Sequence, residues 1–150
     1  MQRISFSVFV LLTCNSVLGQ TTEIESDLDV IEFEIPCLNP TSLASEFYIF
    51  NSPSDMDWTL DEHRNSEPPC PSFLPSIDFT KYTVIGYVAS GCKPEFKLRV
   101  NNEEKSTFCE LLVIDGNCRA LRYDDIWFLI PKTETESILF ELMDEENWNE

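Results

Sequence analysis

Glycine is scarce in this chain: four in 150 residues, none of them clustered. No phosphate-cradling loop of the Gly-rich kind can be built from them. Histidine is scarcer, with His63 alone, so any Ser-His-Asp or Cys-His machinery would have to be centred on that residue. Basic residues number 10 against 27 acidic ones, a net charge of −17. Such a surface repels phosphate backbones and anionic lipid, which argues against nucleic-acid binding and favours solubility and basic partners. No apolar run is long enough to span a bilayer as a helix. None of the six cysteines stands in a Cys-x-x-Cys pair, which removes zinc knuckles and thioredoxin-like redox motifs.

What is present begins with residues 1–19. Arg3 supplies a positive charge, Ile4 to Leu12 an apolar core, and Thr13 to Gly19 a small polar exit. Val17 and Gly19 are spaced as a signal-peptidase site requires, so the expected mature chain starts at Gln20. Leu11-Leu12-Thr13-Cys14 loosely resembles a lipobox, which would place a lipid anchor on Cys14. Thr13 stands where small Gly, Ala or Ser belongs, and the expectation is simple secretion, to the periplasm, the outer envelope or the medium. Removing the leader takes away one basic residue and no acidic one, so the charge moves from −17 to −18. An oxidising compartment makes the remaining cysteines candidate disulfides.

Five cysteines follow the leader, so at most two bridges form and one thiol is left over. Asn101 to Lys105 (NNEEK) reads as a hairpin turn. Folding about Asn102-Glu103 places Cys92 opposite the end of the returning strand, with Cys118 just beyond. Cys92–Cys118 is therefore the first expected bridge. The same fold sets Cys109 opposite Lys97, and its alternation with Leu111 and Val113 makes it a buried free thiol. Cys37–Cys70 remains as the second bridge.

The chain divides into a polar, loose segment at 20–29, one domain at 30–143 and an acidic, disordered tail at 144–150. Val30 to Ile35 alternates and stops at Pro36; Glu46 to Asn51 is a short buried strand. Ser52, Pro53 and Asp55 form a capped helix start running through Arg64, with Met56, Leu60 and His63 on one face. Four prolines stiffen 65–76 into an irregular connector. Strands follow at Thr83 to Ala89, Glu95 to Val100, Ser106 to Ile114, Tyr123 to Ile130 and Ser137 to Met143. Gly86 inside the first of these signals a bulge or a close backbone contact. This order predicts an α+β fold, an antiparallel β-rich sandwich or rolled sheet with one short helix packed on it.

Candidate chemistry is thin. His63 sits at a helix end, where a cation suits the dipole. Asp55, Asp57, Asp61 and Glu62 invite a calcium reading, but the sixth position from Asp55 is Leu60 rather than Gly. Asp124-Asp125 reads as a turn before the Trp127 strand. Trp58, Trp127 and Trp148 could stack on sugars, although Trp127 lies in an apolar strand and Trp148 in the tail. Two carboxylates across a cleft would make a glycosidase, but 27 acids guarantee some such pair. No catalytic, cofactor-binding or metal-ligating set is assigned.

Three segments carry a resemblance: Phe47-Tyr-Ile-Phe-Asn-Ser52, Ser76-Ile-Asp-Phe-Thr-Lys-Tyr-Thr-Val-Ile-Gly-Tyr87 running on to Lys93, and Trp127-Phe-Leu-Ile-Pro-Lys132. Across about residues 46–142 the chain resembles small envelope proteins of Bacteroidetes-type bacteria and, more distantly, the C-terminal domain of PrcB, a protein that stabilises a surface protease complex. Where the PrcB-like pattern has a Gly-Gly-Tyr-type step, this chain reads Ser90-Gly91-Cys92. Cysteines matching Cys92 and Cys118 recur in the small envelope proteins. The resemblance implies no enzyme activity. The expectation is a non-enzymatic, secreted or envelope-located domain that binds another protein or is structural. The alternatives are a hydrolase acting on envelope polymers, or a protease-inhibiting or protease-stabilising subunit.

Overall fold

The long apolar run around Gly86 is explained by a sheet buried on both faces. The computed structural model describes residues 22–65, 67, 69–70, 74–103, 106–116, 121–132 and 137–149. The expected leader at 1–19, Cys14 within it, and Cys118 lie outside these residues. These residues form eight strands: β1 (Thr22–Ser26), β2 (Ile31–Phe33), β3 (Phe47–Phe50), β4 (Tyr82–Gly91), β5 (Glu95–Asn102), β6 (Ser106–Ile114), β7 (Arg122–Pro131) and β8 (Ser137–Met143). Two helices accompany them, α1 (Pro53–Leu60) and α2 (Glu145–Trp148). One sheet has the order β1-β5-β6-β8 and the other β2-β7-β4-β3, an α+β sandwich.

Side-chain alternation builds the layers. Ile85 and Ala89 of β4, with Ile126, Phe128 and Ile130 of β7, face Phe96, Leu98 and Val100 of β5 and Leu111 of β6 across the sandwich. Val84, Val88 and Trp127 point the other way, into a second core closed by Tyr48, Phe50, Met56 and Leu60. With both faces covered, β4 has no polar side to show, so its sequence is nearly all apolar. Helix α1 starts as its sequence requires: the Asp55 amide donates to Ser52 Oγ at 3.2 Å and Pro53 fills the first turn. Met56 and Leu60 are its buried face. After Leu60 the chain tightens into a 3-10 turn at Asp61–His63 instead of continuing as α-helix to Arg64. The proline-rich connector is tied back by the Cys37–Cys70 disulfide.

Several expectations are corrected. Residues 20–29 are not uniformly loose, because Thr22–Ser26 pairs in parallel with β5. Lys97–Glu23 (2.9 Å) and Arg99–Glu25 (3.2 Å) ion pairs hold it there. The 144–150 tail is not disordered throughout: Asp144 caps Asn147 N at 2.8 Å and starts α2. The antiparallel expectation holds for the sheet containing β4, but β8 also runs parallel, beside β6. Between β6 and β8 in sequence comes β7, which belongs to the other sheet. Cys109 lies opposite Val100, not Lys97. The chain reverses later than Asn102-Glu103, since Asn102 itself pairs with Thr107 and Glu103 N bonds Ser106 O at 2.9 Å. Asp124 and Asp125 are inside β7 rather than in a turn.

Candidate interaction surface

The residues singled out for chemistry do not assemble into a catalytic centre. His63 is half-buried, with Nδ1 2.9 Å from Ser42 Oγ and Nε2 3.5 Å from Glu62 Oε1. Ser42 is a neighbour that sequence order alone does not reveal. The trio superficially matches a nucleophile, a base and an acid, but the proton inventory opposes it. Ser42 Oγ already donates to the Asn39 carbonyl at 2.8 Å, so it accepts from the imidazole N–H instead of yielding a proton to it. A general base must accept the nucleophile's proton. The arrangement works as a clamp, fastening the turn at Pro40–Ser42 to the turn at Asp61–His63. The Asn39 amide adds a bond to the His63 carbonyl at 2.8 Å.

Asp124 and Asp125 are adjacent on one strand and therefore point to opposite faces. Asp125 takes the Trp127 indole N–H at 2.6 Å. Burial pushes its carboxyl above the ordinary aspartate range; the indole bond opposes this, and Asp124 and Glu34 reinforce it. Asp124 is buried beside Arg122, whose guanidinium lies 3.4 Å from Oδ1. Two carboxyls on opposite faces cannot straddle one glycosidic bond. Among the described residues no group of three or more His, Cys, Asp or Glu side chains could hold a metal ion. The tryptophans do not converge either. Trp127 is buried, Trp148 lies under Arg99 with the guanidinium 4.4 Å from its ring, and Trp58 stands 89% exposed on α1.

Of the cysteines, Cys37 is bridged to Cys70, Cys109 is a buried free thiol and Cys92 is disulfide-bonded. The partner expected for Cys92, Cys118, is outside the described residues. Asp115 supports this end of the fold, its carboxylate accepting the Cys92 amide at 3.4 Å.

The surface that does gather unusual residues is the side of the sandwich where β3 and β8 are the edges. Phe47 of β3 and Phe140 of β8 stack at 4.5 Å and close the interior there. Beyond that stack, Ile49 is 41% exposed and Leu142 50% exposed, and Leu139 on the opposite face of β8 is 45% exposed. These side chains follow from the sequence of β8. Ile138, Phe140 and Leu142 form one face, but Leu139 and Met143 on the other are apolar too, so neither face is a plain solvent face. Among the described residues, strand β8 pairs with β6 along one side only. The strand carries neither proline nor lysine, the common guards of an open edge, and Glu141 is its one charge. The opposite side also exposes apolar residues, Ile24 on β1 and Ile31 on β2, but there the charges are paired: Glu23 and Glu25 of β1 are engaged by Lys97 and Arg99.

Among the described residues no helix is long and apolar enough to cross a membrane. No family model, curated protein or solved structure matches this chain.

Proposed function

We propose that this chain is a non-enzymatic protein-interaction module working outside the cytoplasm, and that it binds through the open β8 edge. The observation that carries the reading is the coincidence of an edge strand unpaired among the described residues with exposed Ile49, Leu139 and Leu142 on one side of the sandwich. Exposed apolar residues beside an unpaired strand mark surfaces that another chain covers. The Cys37–Cys70 disulfide is compatible with an extracytoplasmic site of action. The resemblance to small envelope proteins and to the PrcB domain points the same way, toward a partner protein rather than a substrate. The hydrolase alternative finds less support, because Ser42 keeps its proton on Asn39 and the paired aspartates of β7 diverge.

The test is a photo-crosslinking amino acid placed in turn at Leu139, Leu142, Ile49 and, as a distant control, Trp58. In the native compartment the first three positions should yield the same adduct, and Leu139→Lys should abolish it. Equal labelling from position 58, or an adduct indifferent to Leu139→Lys, would sink the reading.

A further inference from the structure

The register of the mixed sheet forms a row of charges that ends one place short. Glu25 of β1 lies beside Arg99 of β5, Arg99 beside Glu110 of β6, and Glu110 beside Glu141 of β8. Read across the sheet, the signs run minus, plus, minus, minus. Arg99 serves both its neighbours, at 3.2 Å to Glu25 and 3.2 Å to Glu110. Glu141 sits beside a like charge, and among the described residues no cation lies within ion-pair distance of it. Like charges directly opposite one another in a sheet are unfavourable. The flanking rows on the same face end on apolar residues: Asn101, Phe108, Leu139 on one side and Lys97, Leu112, Met143 on the other.

Resting on the interaction reading above, we infer that the occupant of this edge is an extended segment of another protein that adds a strand to β8. It presents a lysine or arginine to Glu141, with an apolar residue two places to either side on the same face. The added cation restores the alternation that the like-charged Glu110–Glu141 neighbours break. The apolar residues cover Leu139 and Met143, and the segment's other face covers Leu142 and meets Ile49. Backbone hydrogen bonds to the free edge supply affinity, and alternate side chains supply selectivity. A net charge of −17 draws a basic segment in and opposes a second copy of the same chain.

The probe is the palindromic peptide acetyl-Thr-Val-Leu-Val-Lys-Val-Leu-Val-Thr-amide, which presents the same face in either strand direction. It is compared with its Glu-centred counterpart and with a version N-methylated on alternate residues. Binding to the full chain is read by fluorescence anisotropy. The Lys peptide should bind about tenfold more tightly than the Glu peptide, the span of a cross-strand ion pair turned into a repulsion. The order should invert on Glu141→Lys and vanish on Glu141→Gln, and N-methylation should abolish binding. Equal affinity of the Lys and Glu peptides would overturn this inference while leaving the crosslinking pattern, and the interaction reading with it, intact. Binding that survives N-methylation, or no binding by any peptide, would overturn strand addition. Sedimentation showing a dimer that Leu139→Lys dissolves would replace the basic segment with a second copy.

Discussion

The ring of Trp127 lies directly against Gly86, its cross-strand partner in β4, where any side chain would collide with it. The ladder between β4 and β7 runs unbroken from Tyr82–Pro131 to Gly91–Arg122, so the glycine serves close packing and not a bulge. Phe50 stacks on the same indole at 6.0 Å and Tyr48 tilts against it at 5.8 Å. The ring is confined and cannot step aside. Gly86→Ala should therefore destabilise the fold by about 1–3 kcal/mol, the usual range for overpacking. Urea unfolding checks this, and a midpoint unchanged from the parent chain would mean that the indole has room to move.

Beneath the same indole, Asp125 should give the molecule a distinctive response to pH. Burial raises its carboxyl above the ordinary aspartate value of 3.8. The folded state therefore holds this proton more firmly than the unfolded chain does. The contribution of Asp125 to stability is fully present below the ordinary value and is lost as pH rises through the raised one. Asp125→Asn keeps an oxygen to accept from Trp127 and carries no charge to bury. The variant should be the more stable protein at pH 7, and the gap should close on acidification toward the ordinary aspartate range. Melting temperatures of both proteins across that span decide the matter; a variant less stable than the parent at pH 7 would show that the charged form is the one the site favours.

Cys109 makes a chemical prediction. Burial pushes its thiol up to about 12, and the thiolate is the reactive species. Iodoacetamide at pH 8 should leave Cys109 unmodified in the folded chain and label it promptly in denaturant. Labelling of the native protein would mean that the β5–β6 face is open enough to admit the reagent.

The parts of the fold legible in the sequence are those decided by neighbours along the chain. Ser52-Pro53-x-Asp55 specifies a helix start locally, and Phe96, Leu98 and Val100 alternate because a strand must. The parts that were not legible depend on distant partners. TEIES and DEENWN carry too little apolar surface to announce structure, and they are tied down by Arg99, which lies 74 residues from Glu25 and 49 from Trp148 in the chain. The candidate edge was hidden for a related reason. Alternation identifies β8 as a strand, but nothing in SILFELM says that it lies parallel to β6 or that Glu141 falls beside Glu110. That register is set by a crossover through the other sheet. Ser42 and His63, 21 residues apart, meet through the loop that the Cys37–Cys70 bridge helps to hold.

The dependence of both terminal segments on one side chain gives the last prediction. Arg99 donates to Glu25, to Glu110 and to the Trp148 carbonyl at 3.2 Å each, and its guanidinium covers the Trp148 ring. One planar fork therefore joins β1, β6 and α2 to β5. The group is partly exposed, so each ion pair is worth only about 0.2–1 kcal/mol. Arg99→Ala should thus lower global stability modestly, by about 1–2 kcal/mol once the ring contact is included. Its local effect should be larger. A four-residue helix cannot stand alone, so 145–148 should become mobile, with backbone order parameters falling below about 0.6. Arg99→Lys should not restore them, because an ammonium cannot spread over two carboxylates, a carbonyl and a ring as the guanidinium does. Relaxation measurements on the three proteins separate the outcomes. If α2 keeps its order in Arg99→Ala, it is held by its contact with β6, and the arginine is an ornament on a helix already in place.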